Sequence, residues 1–456
     1  MGKQKLENDL KRQTILGNPD IQVKQNNNNQ ESIQDLLDDN IPIGLLHLAL
    51  YKNGIGSLSE KSSWISKAIQ DQKNKGLFPY DRYIKNGSNI SGLIVDDVTN
   101  KEKECVIWTN NLYLGLNRDE RVIKATNEAT IKYGTGSGTS ALSGGFCELH
   151  EALRNKLKQV TGKEDAIIFS TGFTTNFGVI SSIASNGDLI LFDRDCHASI
   201  INGASFSNAE MRSFKHNDVI DLEKKIKKYS ASKNNIFVLI ETVYSMTGEE
   251  APLKEIVDLK NKYDFYLYTD EAHSFGLYGD KFSSYSKYKG LSDNVDFVMS
   301  TFSKTTASIG GFVSAKKEFI DYIKTKSSPY LFQATLPPAT VATILSTIEI
   351  VDQEPEHKRN LWRNTKYIRS RLKNLGFNLG DGTSPVISIY ILDPNILGNV
   401  CKEMYNEGIF TNWVAYPMVS INKGRLRLLV TARHSKTQLD KTIKVLELLG
   451  NKYKII

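Results

Sequence analysis

The sequence predicts an α/β fold in which a mostly parallel sheet lies between layers of helices. Three observations carry this prediction: short apolar runs of strand length, amphipathic stretches between those runs, and a chain long enough for more than one core. The chain has 456 residues, of which 40% are hydrophobic and 24% charged. This is the composition of an ordinary globular protein. Buried strands that alternate with helices are typical of a parallel sheet covered on both faces.

The elements of the large domain can be followed along the chain. The predicted strands are 105–108, 166–169, 189–192, 236–240, 265–268 and 297–300. Leucines and a valine recur at helical spacing between Leu149 and Val160, which predicts a helix there. A second helix is predicted over 255–263 because Pro252, which is tolerated in a first helical turn, precedes it. The stretch 111–116 also has a β-like pattern.

The chain divides into four parts by composition. Residues 1–30 are polar and include four consecutive asparagines, so we expect a disordered extension that cannot bury enough apolar surface to fold. Residues 31–104 form an N-terminal helical and β segment, with an amphipathic helix over 33–51. Residues 105–355 form the large domain. Residues 356–456 form a smaller α+β domain, whose predicted helices are 359–375 and 439–449 and whose strands are 386–391 and 425–430.

Charge and cysteine content exclude several classes of protein. The net charge of +7 arises from 58 basic and 51 acidic residues spread along the chain, so we expect no nucleic-acid partner. The four cysteines lie far apart without a CxxC pair, which predicts neither a disulfide scaffold nor a metal site and favours a reducing cytoplasm. No apolar run reaches the roughly 18 to 20 residues of a membrane-spanning helix, which leaves peripheral contact with a membrane open.

Lys304 is the first candidate for chemistry. The segment Thr301-Phe302-Ser303-Lys304 follows the predicted strand 297–300 and precedes Gly310-Gly311. A lysine taken at random is most often on the surface. Here the amine stands among hydroxyls and next to a glycine pair, where partial burial favours its neutral form. Lys304 is therefore a candidate Schiff-base lysine.

Asp270 and His273 follow the predicted strand 265–268. A carboxylate and an imidazole at a strand end are sometimes a structural pair, but together with Lys304 they favour a cofactor site. Pyridoxal phosphate needs a lysine for its aldehyde, an acid against its pyridinium nitrogen and donors around its phosphate. The sequence therefore predicts pyridoxal phosphate as the cofactor.

Two glycine-containing loops could approach an anion or a substrate. Thr171, Gly172 and Phe173 follow the strand 166–169 and lead into an apolar helix, an arrangement in which helix N-terminal amides bind phosphate. Turn geometry alone is the alternative. The segment Gly134–Ser140, which contains Ser137, has too many glycines for a regular element. It is either a flexible linker or a loop that faces the substrate.

His150 and Arg427 complete the candidates that the residues themselves indicate. His150 opens a predicted helix after the glycine-rich loop, where a histidine usually caps the helix or lies on the surface. Its functional alternative is to lie flat on the cofactor ring. Arg427 alternates with apolar residues in the predicted strand 425–430, and its guanidinium suits a substrate carboxylate. Arg425, two residues earlier, is the competing candidate.

From about Leu77 to Leu449 the sequence resembles the α-oxoamine synthase family, fold-type I pyridoxal phosphate enzymes that join an amino acid to an acyl thioester. The resemblance is carried by several ordered motifs: 111–116, 134–137, Cys196-His197-Ala198-Ser199, Glu241-Thr242-Val243-Tyr244-Ser245-Met246, Asp270-Glu271-Ala272-His273, 301–304 and Thr335-Leu336-Pro337-Pro338. It implies a large domain built on a mostly parallel seven-stranded sheet and a smaller C-terminal α+β domain. It also implies a homodimer with its active site at the subunit interface.

The resemblance implies a role for each matched residue. Lys304 is expected to bind the cofactor and to remove the α-proton, and Asp270 to hold the pyridinium nitrogen. His150 is expected to stack on the ring, and Ser245 and His273 to contact the phenolic oxygen. The expected phosphate ligands are Thr301, Ser303, Thr171, Gly172, Phe173 and Thr335 of a second subunit. Arg427 and Ser137 are expected to contact the substrate.

The implied reaction is a decarboxylative Claisen condensation that yields an α-amino ketone. Within the family, the runs 169–173, 301–304 and 329–332 most resemble members that use serine and a long-chain acyl thioester, so the resemblance implies these substrates, with coenzyme A or acyl carrier protein as the carrier. The loop 138–143 departs from the family's usual pattern, so other amino acids and acyl groups stay open. A non-catalytic partner subunit is the alternative from a different class, and the presence of Lys304 argues against it.

Overall fold

The computed structural model describes residues 56–77, 82–96, 98–415, 418–419 and 423–456. The expected disordered extension, 1–30, and the expected helix over 33–51 lie outside the described residues. Within them the chain forms three sheets and their covering helices. Among the described helices, none combines the length and the apolar character that crossing a membrane requires.

The N-terminal part contributes a helix and a small sheet. Helix α1 (Leu58–Asn74) begins with a capping box in which Ser57 and Glu60 bond each other's backbone N–H groups. Strands β1 (Arg82–Ile84), β2 (Ser91–Asp96) and β3 (Glu102–Ile107) are antiparallel neighbours. Strand β12 (Ile409–Phe410), from the C-terminal part, pairs parallel with β3. Strand β3 crosses the expected boundary between residues 104 and 105, and the division into domains stays a prediction.

The large sheet has seven strands: β4 (Asp165–Phe169), β5 (Leu189–Asp193), β6 (Glu210–Phe214), β7 (Ile236–Glu241), β8 (Tyr266–Asp270), β9 (Phe297–Thr301) and β10 (Gly311–Ala315). Their spatial order is β4-β10-β9-β8-β7-β5-β6. Strand β10 runs antiparallel to both of its neighbours, and the other pairs are parallel. The predicted seven-stranded, mostly parallel sheet is confirmed.

Helices cover both faces of this sheet: α2 (Glu120–Tyr133), α3 (Glu148–Thr161), α4 (Gly172–Ile183), α5 (Ala198–Ser205), α6 (Val219–Tyr229), α7 (Leu253–Lys260), α8 (Tyr285–Tyr288), α9 (Lys317–Lys326), α10 (Ser328–Phe332) and α11 (Pro338–Gln353). The strands β4, β5, β7, β9 and β10 are buried along their whole length. Such strands read as continuous apolar runs, which is why the sequence located most of them.

The C-terminal part is an α+β unit. It contains α12 (Glu356–Asn374), β11 (Val386–Tyr390), α13 (Pro394–Asn406), β13 (Asn412–Val414), β14 (Arg425–Leu429) and α14 (Lys436–Lys452). The three strands are antiparallel in the order β11-β14-β13. A smaller C-terminal α+β unit is therefore confirmed.

The stretch 111–116 is not a strand. Backbone hydrogen bonds from Tyr113 to Asn111 and from Gly115 to Leu112 form tight turns, and Gly115 has a φ of 65°, which breaks an extended run. Tyr113 and Leu114 are nevertheless fully buried. The apolar pattern therefore reported burial correctly but gave the wrong backbone conformation.

Candidate active site

The candidate residues meet at one edge of the large sheet. Strands β7, β8 and β9 are parallel, so the residues at their carboxyl ends lie side by side, and helix α4 begins at the same edge after β4. In open α/β sheets ligands bind at this edge. Glu241, Asp270 and Thr301 end the three strands. Lys304 follows Thr301 by three residues.

Lys304 lies half-buried within this edge. Burial lowers the pKa of its amine to about 8, although the negative charges of Asp270 and Glu241 oppose the shift. Arg427 adds a positive charge that lowers the pKa further. A substantial fraction of the amine is therefore neutral near physiological pH, which is the form that attacks an aldehyde.

Asp270 is held by a network of buried side chains. Its Oδ2 accepts a hydrogen bond from Asn176 Nδ2 at 2.7 Å, and its Oδ1 accepts one from the backbone N–H of Ala272 at 2.9 Å. Asn176 also donates to Ser199 Oγ at 2.9 Å and accepts from the Tyr268 hydroxyl at 2.8 Å. These contacts fix the direction of the carboxylate, as a pyridinium partner requires.

His273 is buried next to the lysine and is held by a tyrosine. Its Nδ1 lies 2.6 Å from the Tyr113 hydroxyl. Burial, together with the positive charges of Lys304, Arg427 and His197, lowers the pKa of His273 well below its usual value. Burial raises the pKa of Tyr113. Both groups are therefore neutral, the phenol donates to Nδ1, and Nε2 carries the proton that His273 can donate to a ligand.

The two arginines of β14 have different surroundings. Arg427 donates to the Ser245 carbonyl at 3.0 Å and acts electrostatically on Lys304, His273 and Tyr113. Arg425 is buried over the Tyr390 ring, 4.6 Å from its centroid, and donates to the Met246 carbonyl. Of the two arginines, Arg427 alone affects the pKa of Lys304, which favours it over Arg425 as the substrate-binding arginine.

The backbone packs closely at the start of α4, where only glycines fit. Thr171 caps the helix by accepting from the Thr174 N–H at 3.0 Å. A side chain on Gly172 would lie 2.7 Å from Thr301 Cβ, and one on Gly311 would lie 2.8 Å from Gly172 Cα. Ser303 is exposed, and its Oγ lies 2.9 Å from Thr301 Oγ1. Helix amides and hydroxyls around two glycines suit a phosphate group.

The structure does not bring His150 to this group of residues. Its ring is fully buried, and Nε2 lies 2.9 Å from the Leu336 carbonyl, which can only accept. Nδ1 is then an acceptor and lies 3.2 Å from both N and Sγ of Cys147. Both ring nitrogens are engaged inside the protein, so this position offers no support for the predicted stacking role.

His197 was not among the predicted site residues, although it acts electrostatically on both Asp270 and Lys304. It precedes α5, four residues after the end of β5, and it is exposed. Its Nδ1 lies 2.7 Å from Ser199 Oγ, which also binds Asn176. Partial burial lowers the pKa of His197. The negative charge of Asp270 raises this pKa, and the positive charge of Lys304 lowers it. The signal that could have located it is its position after the apolar run 189–192.

The other predicted site residues have different surroundings. Ser245 is buried, and its backbone N–H donates to Glu241 Oε2 at 3.1 Å. Phe173 is 46% exposed, with its ring edge-on to His197 at 6.4 Å. Thr335 bonds the Thr139 carbonyl through its N–H at 3.1 Å. Ser137 belongs to the same loop as Thr139, and within one chain neither Ser137 nor Thr335 contacts Lys304.

These residues fit pyridoxal phosphate. The half-buried amine of Lys304, the anchored carboxylate of Asp270, and the amides and hydroxyls at the start of α4 match the aldehyde, the ring nitrogen and the phosphate of that cofactor. Fold and site together define a fold-type I, pyridoxal phosphate-dependent enzyme.

Known proteins match the chain along most of its length. The family described as aminotransferase class I and II matches residues 103–446. Serine palmitoyltransferase of Sphingobacterium spiritivorum is 37% identical over 389 residues, 85% of this chain and 96% of that protein. The 8-amino-7-oxononanoate synthase of Thermosipho melanesiensis is 34% identical over 394 residues, 86% of this chain and 99% of that protein. A solved structure of serine palmitoyltransferase with pyridoxal phosphate has a TM-score of 0.82 at 30% identity, covering 88% of this chain and 100% of that one.

The chain therefore belongs to the aminotransferase class I and II family and, within it, to the α-oxoamine synthases. The predicted family, enzyme class and cofactor are confirmed. The enzyme is a pyridoxal phosphate-dependent acyltransferase.

Proposed function

We propose that this enzyme condenses serine with a long-chain acyl thioester and releases an α-amino ketone such as 3-ketodihydrosphingosine. The observation that carries the proposal is that serine palmitoyltransferase matches the chain both in sequence, at 37% identity, and in structure, at a TM-score of 0.82. In the overall reaction the α-carbon of the amino acid bonds to the acyl carbon. The thiol leaves, and the carboxylate departs as carbon dioxide.

Each side chain of the site has a part in this proposal. Bound pyridoxal phosphate supplies the electron sink that stabilises negative charge on the α-carbon. Lys304 Nζ accepts the α-proton, since its pKa of about 8 leaves about a tenth of the amine unprotonated at pH 7, far more than in an ordinary lysine. Arg427 binds the substrate carboxylate, and His197 lies against the cofactor ring in the place first expected for His150. His273 donates a hydrogen bond from Nε2 to the bound ligand. The hydrogen bond from the Asn176 amide fixes the orientation of the Asp270 carboxylate.

We also propose that the active enzyme is a homodimer. Two apolar side chains near the contact between Thr139 and Thr335 are open to solvent: Leu142 is 58% exposed and Phe332 is 84% exposed. The two elements that carry these side chains contact each other, and exposed apolar side chains that lie together mark a protein–protein interface. A second copy would cover them and bring Thr335 and Ser137 to the partner's site. Light scattering of active enzyme tests this proposal, and a fully active monomer would contradict it.

An assay of thiol release tests the substrates. Purified enzyme is supplied with serine, alanine or glycine and with acyl-CoA thioesters of short, long and carboxylate-ended chains, and the products are identified by mass spectrometry. The proposal predicts the highest kcat/KM for serine with a long-chain acyl group. Repeating the best pair with acyl carrier protein as the thiol carrier identifies the donor. Turnover confined to other pairs rejects serine palmitoyltransferase activity.

The second candidate is 8-amino-7-oxononanoate synthase activity, which the 34% identity over 86% of the chain favours. It predicts turnover with a carboxylate-ended acyl thioester instead of a long apolar one. The sequence also leaves open 2-amino-3-ketobutyrate CoA ligase, 5-aminolevulinate synthase and autoinducer or polyketide-linked synthases, which the same panel separates. A non-catalytic partner subunit would show no turnover with any pair, although Lys304 is retained.

A further inference from the structure

A second carboxyl group stands beside Asp270 in the cofactor site. Glu241 ends β7 and Asp270 ends β8, and the two residues are directly paired in the parallel register. Neighbouring strands lie about 4.8 Å apart, so paired residues project side by side from the same face. Both side chains are buried, at 2% and 4% exposure. Two carboxyl groups this close in a buried site resist carrying two negative charges.

The hydrogen bonds distinguish the two acids. Both oxygens of Asp270 accept hydrogen bonds, from Asn176 and from the N–H of Ala272. Glu241 Oε2 accepts from the Ser245 N–H at 3.1 Å. The backbone of His197 also faces this carboxyl group, but among the described residues no group lies in hydrogen-bonding geometry with the buried Oε1. Burying an ionised carboxylate oxygen without a partner costs much more than burying a neutral carboxyl group, so the unpartnered Oε1 favours the protonated form of Glu241.

Electrostatic interactions also favour the neutral form of Glu241. Burial and the charge of Asp270 raise the pKa of Glu241 to about 8, against the opposing effects of Lys304 and the backbone of Ser245 and His197. The titratable groups that face Glu241 are Asp270 from β8, Lys304 from the segment after β9, Cys196 and His197 from the segment before α5, and Tyr244 from the segment after β7 itself.

We propose that Glu241 is a positioning residue that stands beside Asp270 as a neutral carboxylic acid, so that Asp270 alone carries the negative charge facing the cofactor and Lys304. When Glu241 ionises at alkaline pH, a second negative charge enters the site and favours the protonated lysine amine. Glu241 therefore limits how much of the Lys304 amine loses its proton as the pH rises. This role concerns the cofactor site alone and holds whichever amino acid and acyl group the enzyme joins.

Two measurements on Glu241→Gln test the proposal. In cofactor-free enzyme, labelling of Lys304 by trinitrobenzenesulfonate is followed against pH by mass spectrometry. Gln cannot ionise, so the labelling midpoint is expected to fall by about one pH unit relative to wild type, the usual effect of removing a nearby opposite charge. An infrared spectrum at neutral pH is expected to lose one carboxylic-acid carbonyl band.

Glu271→Gln is the matched control. Glu271 is also buried beside Asp270, and burial raises its pKa to about 7, but its oxygens accept from the N–H groups of Tyr285 and Ser286 and it has no effect on Lys304. Its replacement should leave the labelling midpoint and the band of Glu241 in place. If Glu241→Gln folds poorly, Glu241→Met supplies the same loss of charge. An unchanged midpoint together with no lost acid band in the Glu241 variants would overturn the proposal.

Discussion

The Tyr113 hydroxyl lies 2.6 Å from Nδ1 of His273, so a residue from a turn before α2 fixes the tautomer of a histidine that follows β8. We expect Tyr113→Phe to lower kcat/KM on the order of tenfold, about the worth of one hydrogen bond. The absorbance of the bound cofactor should change as well, because His273 no longer presents Nε2–H in a fixed direction.

Tyr278→Phe is the control for that variant. Its hydroxyl donates to Glu250 at 3.2 Å, and Tyr278 is buried like Tyr113 but has no contact with His273. Steady-state kinetics and cofactor spectra of the two variants are compared. Equal losses of activity would show that Tyr113 matters for packing and not for His273.

The lowered pKa of Lys304 determines how cofactor capture should depend on pH. Its pKa of about 8 lies below the usual lysine value of 10.5 because of burial, so the reactive neutral amine increases as the pH rises through 8, and the amine is about nine-tenths neutral one unit above. When pyridoxal phosphate is added to cofactor-free enzyme, the rate of appearance of the bound-cofactor absorbance should rise to a plateau with that midpoint. A midpoint near 10 would contradict the burial of the amine, and Lys304→Ala should show no covalent capture.

Lys358 offers a matched control for this prediction. It is also buried, and burial lowers its pKa to about 8, but it donates to the Lys281 carbonyl away from the sheet edge. Lys358→Met should leave the midpoint of cofactor capture in place. A parallel shift in this variant would mean that the midpoint reports the stability of the fold and not the titration of Lys304.

Variants of two histidines separate the competing assignments of the ring-contacting residue. His197 faces Lys304 and Asp270, whereas both nitrogens of His150 are engaged by Leu336 and Cys147. We expect His197→Ala to lower kcat by at least about tenfold and to change the cofactor spectrum. His150→Gln should mainly lower the melting temperature. A spectral change confined to the His150 variant would restore the original assignment.

The chemistry of the site could be predicted where residues follow long apolar runs. Lys304 and Asp270 stand just after the runs that became β9 and β8, and parallel strands bring their carboxyl ends together. His197 follows β5 in the same way and stands in the motif 196–199 that carried the resemblance, but it was not chosen as a site residue. His150 was preferred because it stands at a helix start, and no local pattern tells which direction its ring takes.

Other features depend on contacts that no local pattern contains. Strand β6 is only half-buried and β12 has two residues, so neither produces a distinct apolar run. The pairing of β12 with β3 joins segments some 300 residues apart. Likewise the neutral state of Glu241 follows from the side-by-side position of Asp270, which appears only once β7 and β8 are paired in register.

The raised pKa of His216 makes the stability of the fold depend on pH. Burial lowers its pKa, but hydrogen bonds to Asp193 at 2.9 Å and Glu249 at 3.1 Å outweigh burial and raise it from 6.5 to about 10. A raised pKa means that the folded state holds the proton more tightly than the unfolded chain. The stabilisation is fully present below pH 6.5 and is lost as the pH rises through 10.

We expect His216→Gln to lower the free energy of unfolding on the order of 3 kcal/mol below pH 6.5, because it leaves the buried Asp193 and the half-buried Glu249 without their cation. The deficit should shrink towards pH 10, where the wild-type imidazole also loses its charge. Urea denaturation at a series of pH values measures both. His357→Gln removes a partly exposed pair with Glu354 and should cost less than about 1 kcal/mol. A deficit for His216→Gln that does not vary with pH would show that its hydrogen bonds, and not its charge, stabilise the fold.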